Sequence, residues 1–107
     1  MWKEIKIDGV DSIEKCVGEF ELWITDLLPY AKCKIKVYEK QDGKFYGYSN
    51  IQIKRKSDHC FQKAVGYGST LEEALSETRK KFVCMIHKDY PKGLEPEDIE
   101  YIEYPDF

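Results

Sequence analysis

The sequence lacks most of the short patterns that carry chemistry. Four cysteines are spread at Cys16, Cys33, Cys60 and Cys84, with no Cys-x-x-Cys and no close Cys/His pair except His59–Cys60. A structural zinc takes its ligands from paired turns, so no metal site is expected. His59 and Cys60 are neighbours on an extended segment and point to opposite faces, which excludes a dyad by adjacency, and no catalytic residue is assigned. The Gly66-Tyr67-Gly68-Ser69-Thr70 run has neither the spacing nor the lysine of a phosphate loop, so no cofactor is expected. No apolar run approaches the roughly 18 residues a bilayer-spanning helix needs, and the first residues, MWKEIKIDGVDSIE, do not form a secretory signal. A cytoplasmic protein without a membrane partner is expected. Repeats and low-complexity stretches are also missing.

What is present is one domain's worth of chain, 107 residues, 42% hydrophobic and 35% charged, with a formal net charge of -3. We treat residues 1–107 as a single domain. The charge is segregated along the chain: the first 30 residues net -4, residues 31–63 net +6, and residues 89–107 net -6. The acidic, aromatic tail at 89–107 is either an added strand or an ordered tail. It can lie against the basic middle, each screening the other.

Periodicity organises the rest. Asp11-Ser12-Ile13-Glu14 matches a helix capping box. Ile13, Cys16, Val17, Phe20, Trp23, Ile24, Leu27 and Leu28 then recur at helical spacing up to Pro29, predicting a first helix. A short strand over Trp2–Ile7 could precede it. Cys33, Ile35 and Val37 alternate with Lys32, Lys34 and Lys36, predicting a strand with one dry face and one lysine face. Asp42-Gly43 predicts the turn to a second strand over 45–54, with Phe45, Ile51 and Ile53 inward and Tyr46, Tyr48, Asn50 and Gln52 on the lysine side. Lys54-Arg55-Lys56-Ser57-Asp58 reads as a basic turn and 60–67 as a third strand. Thr70-Leu71-Glu72-Glu73 is a second capping box, opening a helix to about His87 with acids first and bases last, the order its dipole favours. The expected fold is α+β: an antiparallel sheet of three to four strands with two helices packed on one face, in the order (β)αβββα plus a C-terminal tail. Cys16, Cys33 and Cys84, among apolar neighbours, are expected in the core.

This layout over residues 11–88 resembles the double-stranded-RNA-binding domain. That family places lysines at the start of the last helix, where they would meet a phosphate. Here Thr70-Leu71-Glu72-Glu73-Ala74 puts glutamates there, so the resemblance implies the layout and not the activity. The string Gly68-Ser69-Thr70-Leu71-Glu72-Glu73-Ala74-Leu75 is similar to the turn entering the helix of HicB-like antitoxins, without the Pro-Gly that usually precedes it in that family.

Two binding surfaces follow. Tyr46, Tyr48 and Tyr67, with Tyr101 and Tyr104 of the tail, supply rigid amphipathic area for a protein partner. The expected function is a small non-enzymatic protein-binding module, an inhibitor, antitoxin or immunity-type protein of prokaryotic or phage origin. The alternative is a nucleic-acid-binding protein in which Lys32, Lys34, Lys36, Lys54, Arg55 and Lys56 hold phosphates and the tyrosines stack on bases. The same lysines would equally guard a strand against aggregation. A structural or homo-oligomerising role is the third reading.

Overall fold

The structure, a computed structural model, describes residues 2–24, 32–102 and 107. A 3-10 turn at Trp2–Glu4 opens the chain, where a short strand was expected. The regular elements are β1 (Glu14–Leu22), β2 (Cys33–Lys40), β3 (Phe45–Lys54), β4 (Phe61–Gly68), α1 (Leu71–Asp89) and, after a 3-10 turn at Pro96–Asp98, β5 (Ile99–Tyr101). All pairings are antiparallel. The strands run in the order β1-β2-β3-β4, and β5 pairs with β3. Among the described residues no helix is long and apolar enough to cross a membrane.

The expected pair of helices on three to four strands, in the order (β)αβββα, is therefore corrected to ββββαβ with five strands in the sheet. The described residues hold one α-helix, and the stretch read as the first helix contains β1. Its periodicity misleads because the strand carries a bulge. Cys16 lies opposite Tyr38 but Gly18 lies opposite Val37, so Val17 is inserted and the faces swap there. Glu14 and Cys16 before the bulge share a face with Glu19 and Glu21 after it, while Gly18, Phe20 and Leu22 join the side of α1. An alternation with one slip imitates spacings of three and four. Gly18 also disfavours a helix interior, by roughly 1 kcal/mol relative to alanine. Charge completes the preference for a strand, since Glu19 and Glu21 stand opposite Lys36 and Lys34. The acidic start of the chain thus pairs with the basic middle.

The β2–β3 hairpin closes through Gly43, whose φ of +88° suits glycine. Lys44 N–H donates to Asp42 Oδ1 (2.9 Å). In β3, residues 49–51 bulge between the Tyr48–Val65 and Gln52–Lys63 pairs. Ser49, fully buried, bridges this irregularity: its hydroxyl accepts from Ala64 N–H (3.0 Å) and donates to the Ile51 carbonyl (2.9 Å). Asn50 marks a change of neighbour on the other side of β3. Its side chain accepts from Lys34 N–H (2.8 Å), where β2 begins, and its carbonyl accepts from Ile102 N–H (2.7 Å), where β5 ends.

α1 begins at Thr70, whose hydroxyl accepts from Glu73 N–H (3.1 Å), while the Glu73 carboxylate accepts from Ser69 N–H (3.2 Å). The returning carboxylate reaches one residue earlier than a capping box prescribes. The helix lies on β4, β3 and β2. Phe82 and Ile86 from the helix and Ile35, Val37, Ile51 and Ile53 from the sheet are almost fully buried, each contributing about 1.5–3 kcal/mol relative to exposure. Small residues let the helix sit close: Gly66 lies beneath the main chain of Glu77–Thr78, and Gly68 beneath Ala74. At the far end Tyr90 is buried, and its hydroxyl donates to the Lys54 carbonyl (2.5 Å). The cysteine expectation holds only for Cys33; Cys16 and Cys84 are exposed, as is Cys60. Cys16 is displaced from the core by the bulge, and Cys84 lies on the outer flank of α1.

Candidate functional site

With α1 on one side, the other side of the sheet has no helix over it among the described residues, and its chemistry follows from strand parity. In β2 the even positions Lys34, Lys36 and Tyr38 face away from the helix. Tyr48 lies opposite Lys36 and Tyr46 opposite Tyr38, and beyond them Val65 and Tyr67 lie opposite Tyr48 and Tyr46. Four tyrosines from three strands are thereby brought into one ridge.

Tyr38 stacks on Tyr46 (ring centroids 5.5 Å, interplanar 15°) and on Tyr48 (5.8 Å, 7°), and Tyr46 meets Tyr67 at 6.3 Å. Phe107, buried, meets Tyr48 edge-on at 5.5 Å. The Tyr38 and Tyr48 hydroxyls share a hydrogen bond of 3.4 Å. Tyr38, Tyr46 and Tyr48 are half-buried in these contacts, and Tyr67, 66% exposed, is the open end. Tyr46 donates to the Glu14 carboxylate from β1. Burial, then that hydrogen bond and charge, push its phenol well above the ordinary tyrosine range.

The cations of this face are engaged within the fold. Lys36 Nζ donates to the main-chain oxygen of Phe107 (2.7 Å) and lies 4.7 Å above its ring. Lys63 Nζ lies 4.3 Å above the Tyr48 ring. Lys32 pairs with Glu21 (2.9 Å), which, chiefly through that hydrogen bond, holds the Glu21 carboxyl below its usual range. Lys32 also lies 5.6 Å over the Trp23 ring. The 54–56 turn forms a separate group: Arg55 is paired with Asp58 (2.6 Å), and Lys56 lies 4.7 Å over the Tyr90 ring. The main-chain N–H of Cys60, followed by Arg55, keeps the Asp58 carboxyl low.

Of the tyrosines expected to bind a protein, Tyr46, Tyr48 and Tyr67 share the ridge. Tyr101 does not, because it lies opposite Ile51 and so belongs to the helix side of β5. Tyr104 lies outside the described residues. Sequence reading omitted Tyr38, Lys63, Glu14 and Phe107. Tyr38 continues the even alternation of Lys32, Lys34 and Lys36, and Lys63 the odd face of β4, so both were within reach; Glu14 was hidden by the helical reading. Phe107 arrives through contacts no local pattern encodes.

No protein-family model, curated protein or solved structure matches the chain.

Proposed function

We propose that the protein is a non-catalytic binding module that engages a protein partner through the open sheet face centred on Tyr38, Tyr46, Tyr48 and Tyr67. The observation that carries this reading is the state of the rings. A base-stacking platform needs free ring faces, whereas Tyr38 stacks with both Tyr46 and Tyr48, and Lys63 Nζ lies over the Tyr48 ring. A ridge of rings already packed against one another offers amphipathic contact at little further entropy cost, which suits a protein surface. Lys32 and Lys36, which a phosphate backbone would have to recruit, are held by Glu21 and Phe107. An inhibitor, antitoxin or immunity-type protein is the class this surface fits.

The test is affinity capture from the native lysate with the wild-type chain and with Tyr67→Ala and Tyr46→Ala, each split into nuclease-treated and untreated halves. One stoichiometric protein is expected in both halves of the wild-type sample. It should be weakened about 30-fold or more by the substitutions if these side chains are hot spots. Capture that vanishes with nuclease, or that ignores both substitutions, overturns the reading.

A further inference from the structure

We propose that two copies of this chain pair through β4, edge to edge and antiparallel, continuing the sheet across a two-fold axis that passes near Val65. The inference does not rest on the proposed partner.

β1 and β4 end the four-strand path among the described residues, and they differ. β1 is protected by the devices that usually keep a border from pairing, a bulge and a run of charges, Glu14, Lys15, Glu19 and Glu21. β4 is regular, carries one charged side chain, Lys63, and has no strand on its outer side among the described residues. Ala64 N–H points inward, to Ser49 Oγ. By alternation the main-chain N–H and C=O groups of Lys63, Val65 and Tyr67 point outward, a row of donors and acceptors awaiting a strand. Beside that row runs a groove of about 480 Å³, bordered by β4 at Val65, Gly66 and Tyr67 and by the flank of α1 that carries Glu73, Glu77, Lys80 and Lys81.

The occupant is identified by self-complementarity. If Val65 faces Val65 of a second copy, each Lys63 falls opposite a Tyr67, bringing an ammonium beside an exposed ring and leaving no like charges face to face. The helix flank reaches the same centre independently. Its acids precede its bases, so an antiparallel copy sets Glu77 against Lys80 with an axis between positions 78 and 79, or against Lys81 with an axis at 79. Gly66 lies directly beneath Glu77–Thr78. The axis set by the strand and the axis set by the helix charges therefore fall within about one residue of each other in the fold, as an isologous interface requires.

Sedimentation equilibrium of the full chain alone, over the micromolar range, tests this. A reversible monomer–dimer equilibrium is expected. Glu77→Lys and Lys81→Glu each place like charges across the axis and should raise the dimer dissociation constant about tenfold or more, and the double exchange should recover most of that loss. Val65→Pro deletes an outward N–H at the centre, which a border strand tolerates, and should leave a monomer with unchanged far-ultraviolet dichroism. A wild-type chain that stays monomeric, or a dimer indifferent to all of these substitutions, overturns the proposal.

Discussion

Adding one methyl group at Gly66 should be among the most damaging changes to this fold. A Cβ built there lies 2.2 Å from Thr78 N and 2.6 Å from the Glu77 carbonyl carbon, both atoms of the helix main chain. No side-chain rotation relieves that contact, so α1 must lift from the sheet, loosening Ala74, Phe82 and Ile86 together. Overpacking a core costs about 1–3 kcal/mol, occasionally more, and contact with main chain belongs at the upper end. We expect Gly66→Ala to lose about 3 kcal/mol, less the few tenths to 1 kcal/mol by which alanine outperforms glycine in a strand. That is a large share of the 5–15 kcal/mol typical of a domain. Gly47 makes a control, because its Cβ would meet the Thr78 hydroxyl at 2.7 Å, a side-chain atom, with the Lys36 carbonyl at 3.2 Å. Gly47→Ala should cost about 1–2 kcal/mol, and Thr78→Ala should relieve part of it. Thr78→Ala should not relieve Gly66→Ala, since alanine keeps every atom that clashes. Urea unfolding of the two double-mutant cycles reads both quantities. Gly66→Ala within about 0.5 kcal/mol of wild type, or rescue of Gly66→Ala by Thr78→Ala, would refute the close approach of helix and sheet.

Ser49→Ala removes the hydroxyl that bridges the β3 irregularity and leaves Ala64 N–H without its partner; thermal and urea melts should show a loss of about 2 kcal/mol. The raised phenol of Tyr46 stabilises the fold while neutral. That contribution is full below the ordinary tyrosine pKa of about 10 and falls away as pH rises through the higher folded value, so Tyr46→Phe should flatten the alkaline decline in a pH-dependent melting series. Burial pushes the Cys33 thiol up to about 12. Native-state titration with an aromatic disulfide reagent should therefore modify Cys16, Cys60 and Cys84 rapidly and Cys33 only on unfolding. Equal reactivity of all four would contradict the burial of β2.

What could be read from the sequence was whatever is encoded locally. The α1 stripe and its Thr70 cap, the Asp42-Gly43 turn and the alternation of β2 and of β3 as far as Tyr48 all declare themselves within ten to twenty residues, and the structure contains each; the bulge at 49–51, which buries Asn50, does not declare itself. β1 could not be read in the same way. A bulge at Val17 breaks the alternation, and only the partner strand, with Lys34 and Lys36 opposite Glu21 and Glu19, shows which period applies. Periodicity summed along one segment cannot see that pairing, although the opposite charges of the two segments were visible. The tyrosine face was legible for the same reason as β2 and β3. Its closure by Phe107 was not, because the Lys36–Phe107 bond spans 71 positions of sequence.

Asn50 has a kinetic consequence. β3 is shared along its length: β2 and β4 reach it through short turns, whereas β5 must return to Ile51–Ile53 from the far side of the helix. Closing a short loop costs less entropy than closing a long one, so the β2–β3–β4 meander can assemble before β5 docks. Asn50 accommodates this order, taking the β2 amide on its side chain and leaving its carbonyl for the late arrival. In the native state the same asymmetry runs in reverse. Three residues of strand can detach without disturbing the meander, so the amide of Ile102 should exchange with solvent well before those of Lys36 and Tyr38.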